Sequence, residues 1–196
     1  MKFLASLFFP LLIMAYYLPL QAQSITSEQV RNLMEERDEQ IKLLLGPEGS
    51  DYTQEQRDEL RSIINDIIDY DAMARIALQE TYNTITDEQR TEFVDLFGSI
   101  IREQSLNNLD IYRAEVIYDD IIVDSNKASV RTTAVLRNVR TRVSYEVEKR
   151  DDLWFITDMA IDDVSTAESY RRSFQNMIRR RGFDALLQNL RNRASG

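Results

Sequence analysis

Residues 143–174 read VSYEVEKRDDLWFITDMAIDDVSTAESYRRSF, and the order of patterns within them decides the fold. Val143, Tyr145 and Val147 alternate with Ser144, Glu146 and Glu148, the period of a strand with one apolar and one polar face. Asp151-Asp152 supplies a hairpin turn. Leu153, Trp154, Phe155 and Ile156 then predict a second strand, apolar on both parities. That run raises the question of what covers its second face, since a strand with one wet face alternates. Ser165 followed by Glu168 has the form of a capping box opening a helix that carries Phe174, Met177 and Ile178.

Upstream, KASVRTTAVLRN (127–138) places Ala128, Val130, Thr132, Ala134 and Leu136 on one face. YRAEVIYDDIIVD (112–124) predicts one or two strands with a tight reversal near Asp119-Asp120. Consecutive strands with short connections imply an antiparallel sheet. The half before Asp110 is helical by period. Thr26 with Gln29, Thr53 with Gln56 and Thr86 with Gln89 mark three helix starts, and a short helix spans Asp71 to Leu78. Gly46-Pro47 ends the first helix. At the far end Gly182 fits a helix C-cap, and Phe183, Leu186, Leu187 and Leu190 form a last amphipathic segment. Helices, then a meander of strands, then helices define an α+β domain.

The first 22 residues have the order of a secretory signal: Lys2, an apolar run from Phe3 to Leu20, then Ala22. The alternative, a permanent anchor, is opposed by Pro10, Pro19 and the polar helical sequence that follows. The reading is therefore a signal peptide over 1–22 and a single domain over 24–196. An exported chain could use disulfides, yet this one has no cysteine, so packing must carry its stability. It also has no histidine, and without His or Cys there is no imidazole base, no thiolate nucleophile and no usual zinc ligand set. Its five glycines form no phosphate-cradling cluster. The formal charge, 24 − 33 = −9, argues against nucleic acid and against general attraction to anionic membranes. Basic residues are nevertheless concentrated between Arg171 and Arg193, seven arginines against one acid, as a solvated helix face or a docking patch.

Two features bear on chemistry. Ala128, Thr132 and Ala134 are small residues on a buried parity, which leaves either close backbone packing or a cavity that a ligand would fill. Asp158 lies among apolar neighbours, where a carboxyl can serve as a base or can accept backbone donors at the start of the next helix. Asp119-Asp120 and Asp162-Asp163 lack the spaced ligands and glycine of a calcium loop and suit turns.

DYDAMARIAL, TDEQRTEFVDLFGSII, the stretch quoted first and the ending GFDALLQNL together resemble the MlaC family, periplasmic phospholipid-binding proteins also called toluene-tolerance auxiliary proteins. The similarity covers roughly residues 72–190. Its most specific parts are the tryptophan strand with Asp158, Ser165, Tyr170-Arg171 and Phe174, and the motif beginning Met73-Ala74-Arg75. The resemblance implies a curved antiparallel sheet of four to five strands, like that of the nuclear-transport-factor and cystatin-like group, with N- and C-terminal helices enclosing an apolar pocket. It implies a periplasmic, monomeric carrier shuttling phospholipid between an outer-membrane lipoprotein complex and an inner-membrane ABC transporter complex. Phospholipid is then cargo, with no cofactor, metal or catalytic residue. The family usually has Gly where this chain has Gln79, Trp near Tyr82, and an acidic-Gly-hydrophobic-Ser turn where this chain has Asp162-Asp163-Val164-Ser165.

Stripe and parity select the pocket lining: Met73, Leu78, Phe93, Phe97, Ile101, Val130, Thr132, Val143, Tyr145, Val147, Trp154 and Ile156. Arg179, Arg180 and Arg181 are the candidate partner-docking residues. On this reading the second face of the Leu153–Ile156 strand is covered by further helices or by lipid. Three other readings compete: a carrier of another apolar lipid such as a hopanoid, a carboxylate-dependent enzyme using Asp158 as base, and a ligand-free envelope interaction module with a fully packed core.

Overall fold

A computed structural model describes the backbone over residues 18–49, 51–106 and 109–194, and the side chains of these from residue 27 onward except that of Asp110. The apolar run read as a signal peptide lies outside the described residues, apart from its end at Leu18–Leu20. The first helix, α1, spans Leu18–Leu45. It passes through Thr26 without interruption, so Thr26-Gln29 is not a helix start; a four-residue pattern carries no information about whether helix already precedes it.

The end of α1 is closed by side chains from elsewhere, because its last carbonyls have no partner within the helix. Gln56 Nε2 donates to Leu44 O at 3.1 Å. The Arg113 guanidinium collects the carbonyls of Leu45 at 3.0 Å, Gly46 at 2.6 Å and Pro47 at 3.2 Å, and donates to the Tyr52 hydroxyl at 2.8 Å. Helix α2 (Gln54–Asp66) begins in the capping box read from the sequence, with Thr53 and Gln56 satisfying each other's backbone donors. Helices α3 (Tyr70–Leu78), α4 (Thr81–Thr84) and α5 (Asp87–Leu106) follow, and Thr86 and Gln89 cap α5 in the same reciprocal way. A 3₁₀ turn over Leu109–Arg113 leads into the sheet.

The sheet is an antiparallel meander in sequence order, made of β1 (Glu115–Asp124), β2 (Lys127–Leu136), β3 (Val139–Arg150), β4 (Leu153–Ile161) and the short β5 (Val164–Ser165). All four of its connections are two-residue turns, and in three of them, Arg137-Asn138, Asp151-Asp152 and Asp162-Asp163, both residues have positive φ. That geometry matches the right-handed twist of the flanking strands, and the short polar side chains of Asn and Asp tolerate it best. The reversal expected at Asp119-Asp120 is instead a β-bulge. Tyr118 pairs with Thr132 and Asp120 with Arg131, leaving Asp119 extra in an otherwise continuous β1. Thr157 is the extra residue of a second bulge in β4. Such bulges bend the strands. Beyond β5, the outer edge of β4 is closed by the chain between α2 and α3: Ile156 donates to Ile67 O at 2.6 Å and accepts from Asp69 N at 2.8 Å.

Helices α6 (Thr166–Arg181) and α7 (Phe183–Ala194) close the chain. Ser165 caps α6, but Glu168 pairs with Arg171 rather than reaching back, so the expected box is half formed. Helices α3, α5, α6 and α7 build their own core around Phe93, Phe97, Phe174 and Leu186. Phe93, Phe97, Tyr170 and Phe174 meet with ring centroids 5.1–5.6 Å apart, in edge-on and tilted contacts. Gly98 lets Tyr70 approach α5, since a Cβ there would sit 3.0 Å from the Tyr70 ring.

One residue works against its backbone. Gln79 ends α3 at φ 50°, ψ −130°, where a Cβ is disfavoured and glycine is at ease. Gln79→Gly is expected to raise stability by about 1 kcal/mol, the strain relieved exceeding the added freedom of the unfolded chain. A urea denaturation series checks this, with the midpoint rising at unchanged slope; an unchanged or lower midpoint refutes it.

Candidate functional site

The register of the ladders assigns one apolar face to the sheet. Val123, Ile121 and Tyr118 of β1 lie beside Ala128, Val130 and Thr132 of β2, which face Val147, Tyr145 and Val143 of β3. Trp154 and Ile156 of β4 continue the same face. The other face carries Arg131, Arg142, Glu146, Glu148 and Arg150, with Thr133 and Asp158 buried among them. Helix α1 covers the apolar face: Val30, fully buried, joins Val123, Ala128, Val130, Val147 and Trp154 in one cluster, with Leu33, Tyr118, Ile121 and Tyr145 packed at its margin. Arg31 stands 4.9 Å from the centre of the Tyr118 ring. The alanine at 128 therefore serves close approach of α1.

Coverage is uneven along this face. Val130, Val147 and Trp154 are buried, Tyr118 and Tyr145 half-buried, and at the end formed by the second and last turns Ile161, Val164 and Val139 are 45%, 61% and 63% exposed. The strand that posed the question is resolved the same way. Trp154 and Ile156 face α1 and the helices, whereas Leu153 is 63% exposed and Phe155 half-buried, so the second face is not enclosed as expected. It lies on the charged side of the sheet, where no helix covers Leu153.

The twelve residues chosen for a pocket fall into two groups. Met73, Leu78, Phe93, Phe97 and Ile101 are in the helical core. Val130, Thr132, Val143, Tyr145, Val147, Trp154 and Ile156 lie on the sheet face. An apolar stripe tells that a face is buried and not against what. Thr132, buried and polar, is satisfied by donating from its hydroxyl to Val143 O at 2.9 Å. Trp154 differs: its indole Nε1–H is buried and has no acceptor among the described residues. Sequence reasoning missed Val30 and Leu33, whose apolar spacing on α1 was visible but whose destination was not.

Asp158 accepts from the Ser165 hydroxyl and from Ala167 N at 3.2 Å, which fixes the start of α6 and leaves it committed as a cap. Asp162 and Asp163 occupy a turn, and Asp119 accepts from the Thr133 hydroxyl at 2.7 Å. A cavity of about 240 Å³ opens on the charged side of the sheet, lined by Arg131, Arg142, Ser144, Asp119 and Asp163. Its arginines are neutralised by Asp120 and Asp163. Arg179, Arg180 and Arg181 are exposed on the last turn of α6, where positive charge complements the helix end. Among the described residues no carboxylate pairs with them.

Tyrosines carry the polar strain of the interior. Tyr82 is 3% exposed; its hydroxyl donates to Asp71, with the Arg75 and Arg90 guanidinium carbons 4.3 and 4.8 Å from its ring centre. Burial, then the bond to Asp71, pushes it up to about 12. Burial likewise pushes Tyr70 up to about 12 against the opposing charge of Arg102. Burial raises Tyr118 and Tyr145 as well, helped by the charge of Asp38.

These elements define a binding scaffold: an α+β domain whose antiparallel sheet presents an apolar face beneath a long N-terminal helix. The chain belongs to the MlaC family, whose model matches residues 23–192. Comparison with curated proteins yields no significant match. Among solved structures, the phospholipid-binding protein of Ralstonia solanacearum, determined in complex with a phospholipid, shares the fold with a TM-score of 0.67. The two are 21% identical, and the match covers 89% of this chain and 97% of the other.

The tyrosines set an alkaline limit. A phenol with a raised pKa in the folded state holds its proton where the unfolded chain has lost it, so its stabilisation is intact below pH 10 and is lost as pH rises towards 12. Tyrosinate absorbance is expected to rise together with unfolding across this window, and Tyr70→Phe/Tyr82→Phe to flatten the loss. Ionisation of all tyrosines near pH 10 in the still-folded protein contradicts this.

Proposed function

We propose that the protein is a periplasmic phospholipid carrier, moving lipid between an outer-membrane lipoprotein complex and an inner-membrane ABC transporter complex. The observation that carries this reading is the apolar sheet face from Trp154 to Ile161, dry beneath α1 at one end and open at the other. Family membership and the shared fold with a protein solved with phospholipid support it. Acyl chains would lie against Val130, Val143, Tyr145 and Val147, taking up the half-covered part of the face.

Burying a methylene is worth about 0.8 kcal/mol, so a two-chain lipid held this way does not escape into water on a useful timescale. Release then requires a partner that opens the site. A body of formal charge −9 resists idle adsorption to anionic bilayers, and the exposed Arg179–Arg181 cluster offers a contact for an acidic surface on such a partner. The carrier works as a monomer and needs no cofactor.

Native mass spectrometry of protein purified from the periplasm without detergent is expected to show a stoichiometric adduct of phospholipid mass. A hopanoid adduct would keep the carrier and change its cargo, and a clean lipid-free mass from repeated preparations would refute it in favour of a packed interaction module. Replacing Arg179, Arg180 and Arg181 together by glutamate is expected to slow transfer to acceptor membranes bearing the transporter while bound lipid stays in place. Unchanged transfer would remove the docking role.

A further inference from the structure

Thr132, the other buried polar side chain described on the sheet face, is satisfied locally. Trp154 is 6% exposed and shares a cluster with Val30, Val123, Ala128, Val130 and Val147, yet its Nε1–H has no acceptor among the described residues. Leaving a buried donor unpaired is costly, and native folds keep such groups chiefly where something else pairs with them. The required partner is an acceptor that enters an aliphatic setting. The buried side chains clustered with Trp154 are aliphatic, so a phosphate held among them would be a poorly compensated buried charge. A neutral ester carbonyl meets both conditions.

The residue directly across the ladder sharpens the placement. Lys149 of β3 pairs in register with Trp154, on the same side of the sheet as Val147. Its ammonium lies 3.0 Å from the carboxylate of Asp152, a side chain 97% exposed. An ion pair so exposed contributes little and is readily exchanged. The sheet edge by the β3–β4 turn thus offers, in order outward, an apolar floor, one unpaired N–H and one cation.

We infer that this edge receives the polar end of a bound diacyl phospholipid, Trp154 Nε1–H donating to a glycerol-ester carbonyl and Lys149 standing beside the phosphate. The assignment rests on the carrier reading above and adds the lipid's orientation. Acyl chains run from Trp154 towards Tyr118 and Tyr145 and on to the open end at Ile161. The site therefore recognises the ester linkage that is common to diacyl lipids, and takes little account of what lies beyond the phosphate.

Trp154 is the one tryptophan of the chain, so ¹⁵N-labelled protein gives a single indole N–H resonance. Delipidated protein is reloaded with diacyl phosphatidylglycerol or with its dialkyl ether analogue, and native mass spectrometry verifies each adduct. The resonance is expected to move downfield with the ester lipid and not with the ether lipid. Trp154→Phe is expected to release ester lipid about three to ten times faster than the parent, the worth of one neutral hydrogen bond, and ether lipid at a rate changed by packing alone. Lys149→Gln is expected to weaken retention of the phospholipid and leave diacylglycerol retention unaltered. Equal indole shifts for the two lipids, or none with a verified adduct, overturn the assignment while the carrier stands. Failure of both lipids to bind overturns the assignment and the carrier reading together.

Discussion

The contact on which the binding face depends is the grip of Arg113 on the end of α1. One guanidinium at the entrance to the sheet holds the carbonyls of Leu45, Gly46 and Pro47. These groups are otherwise orphaned by the helix end, and bonds from a charged donor are the stronger kind. Because Arg113 stands two residues before the first residue of β1, the clamp fixes the end of the first helix to the start of the first strand. The direction of α1 across the sheet follows, and with it the burial of Val30 against Trp154 and the distance of Arg31 from Tyr118. A chain without cysteine has no covalent means of fixing that relationship.

The described residues form three apolar clusters, on the sheet face, among the aromatic rings, and where the end of α1 meets α2 and Leu106 of α5. Helices α3, α5, α6 and α7 are held by interlocking aromatic rings around Phe93 and Phe174, independent of the sheet's apolar face. They meet β4 at its edge, through the backbone bridge to Ile67–Asp69 and through Asp158 at the start of α6. Asp69 extends this junction by capping α3 and pairing with Arg150.

The sheet was legible to a degree that the helices were not. Period-two alternation in Ala128–Thr132 and Val143–Val147 identified the buried face correctly, because a strand's two faces are fixed by parity alone. Asp-Asp pairs read as turns were turns at 151–152 and 162–163. At 119–120 the same pair sits in a bulge, since apolar sequence continues on both sides and the partner strand is long enough to pair throughout. For helices, the sequence shows that a stripe is buried and is silent on its destination. Phe93 and Phe97 looked no different from Val30, yet the first two fill a helical core and the last lies on the sheet. The unpaired donor of Trp154 had no sequence signal, because satisfaction is a property of neighbours brought in by the fold.

The exposure gradient along the sheet face constrains how such a site can exchange its contents. A fully closed cavity would have to break its core to load, and a fully open face would adsorb to any apolar surface. Here the closed end is made of aliphatic side chains under α1, and the open end of Val139, Ile161 and Val164 at turns the backbone holds tightly. These three residues are strand ends that flank the two-residue turns Arg137-Asn138 and Asp162-Asp163. Water-exposed apolar area at one end of a lined track lowers the barrier for chains to begin sliding out against a second apolar surface, while offering no gain for sliding into water. On the proposed carrier reading, selectivity for transfer over loss would be a property of where the apolar face stops.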